Sequence, residues 1–220
     1  MRIEKHVHSC ILLTLAGERL LFDPGAYSFV DGRVDPATFS DVSTIVLTHT
    51  HPDHIDKDAL RTIADASGAT LVGNTEVAAE LGGDGFEVSV FDEGERAFGA
   101  FNLRALPVDH EPVLAEEVPQ VTAFIVNDRL LNPGDSFDAR MHAFAGIEVL
   151  LLPVIAPFLI EVVAYDFAKT MRPRHVVPVH DGHVRDFFLP PRYDTYDMYM
   201  KKAGITFQRL MKPGDGFDLA

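Results

Sequence analysis

The stretch Thr48-His49-Thr50-His51-Pro52-Asp53-His54 follows directly on the β-branched, apolar run Thr44-Ile45-Val46-Leu47 and packs three imidazoles and a carboxylate into six residues. Alternate side chains of a strand share a face, so His49 and His51 can converge on one ion where the extended geometry persists. Asp53 and His54, on the turn that follows, can face a second. Neutral imidazole combined with carboxylate suits zinc, manganese or iron. A solvated His-rich turn is the competing reading. What separates the two is whether further ligands arrive from distant parts of the chain.

Such a site needs strands whose ends meet, and the chain supplies several candidates. The runs 7–15 and 19–22 flank the turn signal Ala16-Gly17-Glu18 and read as adjacent antiparallel strands. Asp23, before Pro24-Gly25, stands at a strand end, where it could serve the site or simply stabilise the turn. Residues 26–43, rich in Gly, Asp, Ser and Pro, read as a long surface loop bordering a cleft. Asp56 caps a helix running to Ala66 with Gly68 near its end, residues 69–73 form a short strand, and Asn74 caps a helix ending at Gly82-Gly83. Residues 86–108 are short β-like runs with antiparallel hairpin signals at Glu93-Gly94-Glu95 and Gly99.

A strand ending at Val108 is followed by His110, and the acidic loop 111–119 reads as solvated. Residues 121–126 and 129–131 form a hairpin around Asn127-Asp128 that runs into Pro133-Gly134-Asp135. Asp135 is therefore a ligand candidate at a strand end, or an Asx turn or helix cap. Residues 148–153 are a buried strand, 158–171 a helix stopped by Pro173, and 175–180 a strand whose last residue is His180. Residues 193–203 read as a final helix and 206–210 as a last strand. Alternation of strand and helix indicates an α/β layered domain.

Composition narrows the classes of function. With 220 residues, 47% hydrophobic and 24% charged, the chain is expected to form one domain spanning 1–220 with a substantial core. A formal charge of -14 without a basic cluster opposes nucleic acid as a partner. The single cysteine, Cys10, excludes an intrachain disulfide and a cysteine-built zinc site, and reads as a small core residue. The opening residues lack the apolar stretch of a secretory signal, which leaves the cytoplasm as the expected location. The apolar segment 147–164 carries Glu148, Pro153, Pro157 and Glu161, so no membrane span is expected. A small-molecule substrate is the expected partner, and a homo-oligomer is left open.

Taken in order, the candidate ligands are Asp23, His49-x-His51-x-Asp53-His54, His110, Asp135 and His180. This pattern resembles the metallo-β-lactamase superfamily over essentially the whole length. His8-Ser9-Cys10-Ile11-Leu12-Leu13, Leu21-Phe22-Asp23-Pro24 and Pro178-Val179-His180-Asp181-Gly182 look most like the branch containing L-ascorbate-6-phosphate lactonase and N-acyl phosphatidylethanolamine phospholipase D. The resemblance implies a four-layer αβ/βα sandwich of two mixed β-sheets flanked by helices, with two divalent metal ions at one edge, zinc first and manganese or iron as alternatives. It implies that His49, His51 and His110 bind one ion, that Asp53, His54 and His180 bind the other, and that Asp135 bridges them. Asp23 would support a ligand imidazole from behind. Asp53 and His54 are the candidate catalytic residues, Asp53 orienting a hydroxide or shuttling a proton.

The implied chemistry is hydrolysis of a small ester, lactone or phosphorylated substrate by a metal-activated water. No Gly-x-Ser-x-Gly elbow suggests a protein nucleophile. The Gly134-Asp135 pair argues against antibiotic hydrolysis, because true metallo-β-lactamases lack the bridging aspartate. Two other classes remain: a non-haem iron redox protein of the same fold, and a non-catalytic metal-binding relative. Tyr27, His142, His183 and Arg185 are candidate substrate contacts, and His8 is a possible addition to the site.

Overall fold

A computed structural model describes residues Met1–Ala220. In chain order its first strands are β1 (Arg2–Lys5), β2 (Ile11–Leu15), β3 (Glu18–Phe22), β4 (Thr44–Val46), β5 (Thr70–Gly73) and β6 (Val88–Val90). The next are β7 (Gly94–Phe98), β8 (Phe101–Val108), β9 (Val121–Val126), β10 (Leu130–Asn132), β11 (Val149–Pro153), β12 (His175–Val179), β13 (Thr206–Phe207) and β14 (Asp215–Asp218). They build two seven-stranded sheets, ordered β14-β1-β2-β3-β4-β5-β6 and β13-β12-β11-β10-β9-β8-β7. The helices are α1 (Ala26–Phe29), α2 (Lys57–Ser67), α3 (Thr75–Gly83), α4 (Glu161–Met171) and α5 (Leu189–Lys202).

The central strands are apolar without interruption because both faces of each sheet are covered. Phe22, Val46, Leu151 and Val177 point into the core between the sheets. Their neighbours Leu21 and Ile45 point outward onto Leu60, Ile63, Val77 and Leu81 of α2 and α3. Leu150, Leu152 and Val176 likewise meet Ala164, Phe167 and Tyr193 of α4 and α5. Period-two alternation thus divides one apolar run between two cores, and the result is a helix-sheet-sheet-helix sandwich. Each fully buried large side chain stabilises it by roughly 1.5–3 kcal/mol.

Strand direction decides where the site lies. β3, β4 and β5 are mutually parallel. In the other sheet β8 and β10 are both antiparallel to β9 and hence run the same way, and β11 and β12 continue parallel to β10. The residues just beyond β3, β4, β8, β10 and β12 are Asp23, His49, His110, Asp135 and His180. Their convergence follows the rule that α/β sheets present ligand groups at the carboxyl ends of their strands.

Several local expectations are revised. Residues 26–43 are not simply a surface loop: they contain α1 and two short 3-10 turns, and Val34, Phe39 and Val42 pack into the core under α2. Their polar neighbours mask those three apolar residues. The turn signal at Glu93-Gly94-Glu95 is a crossing between sheets rather than a hairpin, since β6 pairs parallel with β5 whereas β7 pairs antiparallel with β8. α4 begins at Glu161, three residues later than the apolar spacing predicts, because Phe158 packs on the rings of His110 and His180 instead of joining the helix. α5 begins at Leu189, with prolines in its first turn, where backbone N–H groups have no helical partner to lose. The last strand expected at 206–210 shortens to β13, and β14 adds to the edge of the first sheet beside β1.

Candidate metal centre

The histidine stretch leaves β4 as an irregular loop held on three sides. The backbone N–H of Ala26 donates to the carbonyl of Pro52, and that of Thr122 to the carbonyl of Thr48, tying the loop to both sheets. Gly25 is obligatory here, since a Cβ would lie 1.8 Å from the carbonyl oxygen of Asp53. Asn74, besides capping α3 through Val77 N–H, donates its side-chain amide to the carbonyls of Thr48 and Gln120.

All seven predicted ligands come together, and His8 joins them. They fall into two groups, His49, His51, His110 and Asp135 in one and His8, Asp53, His54 and His180 in the other; in each, the potential ligand atoms lie within 4.8 Å of one another. Asp135 faces both. Its Oδ2 lies 3.8 Å from His49 Nε2, 3.7 Å from His110 Nε2 and 3.0 Å from His180 Nε2, and its Oδ1 is 3.2 Å from His54 Nε2.

The hydrogen bonds behind the imidazoles set their tautomers. His54 Nδ1 lies 3.1 Å from Asp23 Oδ2, His180 Nδ1 is 2.7 Å from the carbonyl of Ile155, and His110 Nδ1 faces the carbonyl of Glu111. Each of these acceptors requires hydrogen on Nδ1, so the neutral ring has its lone pair on Nε2. Thr48 donates its hydroxyl to Asp23 Oδ2 at 3.0 Å, so its oxygen accepts from His49 Nδ1 at 3.0 Å. His51 turns the other way, its Nδ1 being 3.2 Å from His49 Nε2 and 3.3 Å from His110 Nε2. Three nitrogens thus confront one another with few hydrogens between them. His54 Nε2 and Asp135 Oδ1 are buried and make no hydrogen bond. Buried polar atoms left without hydrogen-bond geometry are costly, and a divalent cation would satisfy both, in place of the proton that Asp135 and Asp23 favour on His54. The donor set fits two such ions.

Electrostatics agree. Burial, reinforced by His54, holds His49 well below the ordinary imidazole value, in the neutral form that ligates. Burial opposes charge on His54 and His180 too. Asp135 and Asp23 nevertheless raise His54 well above that value, and Asp135 with Asp53 raises His180 to about 9. Against its own burial, Asp135 is held well below the usual carboxylate range by His180 and His54. Asp53 is lowered in the same sense by its hydrogen bonds to His180 and His8. A cation bound by these side chains would have to displace the protons that the carboxylates favour on His54 and His180.

The centre opens into a cleft of about 540 Å³, within the size range of small-molecule sites. Tyr27 and His183 form one wall, with His183 Nε2 at 3.7 Å from Asp53 Oδ2. Val113, Leu114, Pro157 and Phe158 form an apolar wall opposite. The acidic loop 111–119, expected to be merely solvated, therefore borders the site. His142 sits instead on a 3-10 turn against Phe167, away from the cleft, and Arg185 does not line it.

A buried network that local sequence did not reveal lies behind His8. Lys5 Nζ donates to Asp181 Oδ2 at 2.6 Å, Tyr193 donates its hydroxyl to the same oxygen, and Asp181 Oδ1 accepts the backbone N–H of His8 at 3.2 Å. Against its burial, Lys5 and the hydrogen bonds of Lys5 and Tyr193 hold the Asp181 carboxyl below the usual carboxylate range. The only local cue was its position directly after His180.

Two mixed sheets between helices, with a His/Asp centre at the carboxyl edge of their strands, define a metal-binding α/β sandwich. A family model described as "Beta-lactamase superfamily domain" matches residues 2–180, and the chain belongs to the metallo-β-lactamase superfamily. It is 33% identical to Protein Rv0786c of Mycobacterium tuberculosis over 84% of this chain and 85% of that one. It is 27% identical to a UPF0173 metal-dependent hydrolase of Rubrobacter xylanophilus, over 93% and 90% of the two chains. Among solved structures, Igni18, a metallo hydrolase of Ignicoccus hospitalis, shares the fold with a TM-score of 0.73 and 21% identity, covering 100% of this chain and 99% of that one.

Proposed function

We propose that this metal-dependent hydrolase works with two divalent ions, one held by His49 Nε2, His51 Nδ1 and His110 Nε2, the other by Asp53, His54 Nε2 and His180 Nε2, with Asp135 between them. The observation that carries the reading is the convergence of two groups of His and Asp ligand atoms, above all His54 Nε2 and Asp135 Oδ1, which are buried without a hydrogen-bond partner. Similarity to the UPF0173 metal-dependent hydrolases supports the metal-dependent hydrolysis. Two ions held there would lower the pKa of a bound water toward neutrality and polarise a carbonyl or phosphoryl oxygen.

The side chains supply the rest. Asp23 fixes the ring of His54 and, through Thr48, that of His49. Asp53, at the cleft floor within reach of His8, His180 and His183, orients the attacking water and takes its proton. The apolar wall of Leu114 and Phe158 receives the non-reacting part of a small ester, lactone or phosphorylated substrate. Zinc is the first expectation for the native metal, with manganese and iron compatible with the same ligands. The segments around His8, Asp23 and His180 support a place near the lactonase branch, so lactones belong in the first assay.

The test is to load stripped protein with zinc, manganese or iron in turn, count metals per chain, and assay ester, lactone and phosphoester panels. Turnover that requires metal and saturates with the second equivalent is expected. A fully loaded protein inactive on all panels, or one that holds a single ion, overturns the reading.

A further inference from the structure

His8 is wired in the opposite sense to His54 and His180, the other imidazoles of its group. Nδ1 of His54, His110 and His180 each faces an oxygen acceptor. Nδ1 of His8 instead faces the backbone N–H of Gly182 at 3.0 Å. An amide N–H can only donate, so this nitrogen must accept. An imidazole accepting at Nδ1 is neutral and carries its one hydrogen on Nε2. That Nε2–H points at Asp53 Oδ2, 3.1 Å away.

We propose that His8, although it stands within ligand distance of Asp53, His54 and His180, is a fixed hydrogen-bond donor that positions Asp53 rather than a metal ligand. A nitrogen carrying hydrogen has no lone pair in the ring plane to give an ion. Asp53 Oδ2 accepts that hydrogen and is held in place for the ion-binding and proton-handling work assigned to it above.

The surrounding chain is built to keep the ring in this orientation. His8 is fully buried, at 0% exposure. Its backbone N–H is held by Asp181, itself fixed by Lys5 and Tyr193, and its carbonyl accepts the N–H of His180 at 3.3 Å. Its φ of +63° lies in the left-handed region, which side-chain-bearing residues rarely occupy and which strained functional positions do. Gly182 can approach Nδ1 only because it has no side chain, since a Cβ would lie 2.8 Å from Tyr27 Cβ and 3.1 Å from Nδ1 itself. A line of contacts therefore runs from Lys5 through Asp181 to His8 and on to Asp53.

The consequence for turnover rests on the two-ion hydrolase reading; the position of the proton does not. Long-range proton–nitrogen NMR on zinc-replete protein is expected to show His8 with a bare Nδ1 and a protonated Nε2, opposite to His54, His110 and His180. With an NMR-active cadmium isotope replacing zinc, metal coupling should appear at those three rings and not at His8. Metal coupling to His8 Nε2, or hydrogen on its Nδ1, overturns the proposal. His8→Leu should keep both zinc equivalents and lower kcat by about 10–100-fold with little change in KM. His8→Gln, whose amide nitrogen reaches the place of Nε2, should restore most of the loss. A folded His8→Gln protein that loses one zinc equivalent, or that is no more active than His8→Leu, overturns the proposal as well. Should His8→Leu fail to fold, the wild-type spectra decide. The spectra and the zinc count need no substrate, so failure of the hydrolase reading is distinguishable from failure of this one.

Discussion

Two buried polar clusters lie back to back across His8, and they are built on opposite principles. On one side Lys5, Asp181 and Tyr193 pair a cation, a carboxylate and a hydroxyl, with Lys5 and Asp181 side chains only 4% and 3% exposed. Donors there meet acceptors. On the other side His49, His51, His54, His110 and Asp135 turn lone pairs toward one another, and two buried atoms have no hydrogen-bond partner. Burying charge is costly in both cases. The first cluster offsets that cost from within the chain, whereas the second calls for something positive from outside. Depth of burial therefore does not by itself mark a functional site; what sets this one apart is that unpartnered atoms lie among two convergent groups of His and Asp ligand atoms.

The largest way to break the contrast is Asp135→Ala. Because Asp135 faces both groups, its removal should lower kcat by on the order of a thousandfold or more and reduce the metals bound per chain. Near-normal turnover with full metal content would remove Asp135 from the centre. On the closed side, Lys5→Met strands a buried carboxylate and should cost about 3–5 kcal/mol of stability, measured by urea unfolding, with metal stoichiometry retained. The double change Lys5→Met with Asp181→Leu should recover part of the loss, as replacing both partners of a buried pair often does. If Lys5→Met removed metal without destabilising the fold, the two clusters would not be separate.

pH sharpens the comparison next. His6 lines a cavity beside Lys5 and Asp181 and is lowered to about 4 by burial, with the charges of Arg19 and Lys5 adding to it. Between its unfolded value of 6.5 and about 4, the unfolded chain binds a proton there that the folded chain does not. Stability is thus full above pH 6.5 and is lost as pH falls toward 4, by about 3 kcal/mol. The His6→Leu variant should flatten that part of the unfolding profile; an unchanged profile would clear His6. On the metal side the sign concerns affinity: His180, at about 9, holds a proton that the ion must displace, so zinc affinity should fall as pH drops below that value. The smallest expected effect is Asp23→Asn, which keeps the shape behind His54 but weakens its support and should reduce metal affinity about 10–100-fold, readable by competition with a chelating dye.

Much of this was legible along the chain, where the physics is local. Asp56 and Asn74 cap their helices through hydrogen bonds to residues two to three positions ahead, and Gly68 closes α2 in the left-handed conformation. The ligand types stand at the ends of apolar runs that only strands could use. Less legible was whatever depends on pairing across long separations. Val88–Val90 resembles the hairpin strands after it yet joins the other sheet, and β14 reaches β1 from the far end of the chain. The loop 111–119 is polar on average, and only the approach of residues 157–158 turns Val113 and Leu114 into a cleft wall.

By itself the sequence determined the chemistry available: imidazoles and carboxylates at strand ends, in an order and spacing that suit two metal ions, on strands apolar enough to be covered on both faces. The tertiary structure decided which nitrogen of each imidazole is free. A tautomer is chosen by the group behind the ring, and for His8 that group, the Gly182 N–H, lies 174 residues away. No local pattern carries that information, because it exists only once two sheets have brought their strand ends together.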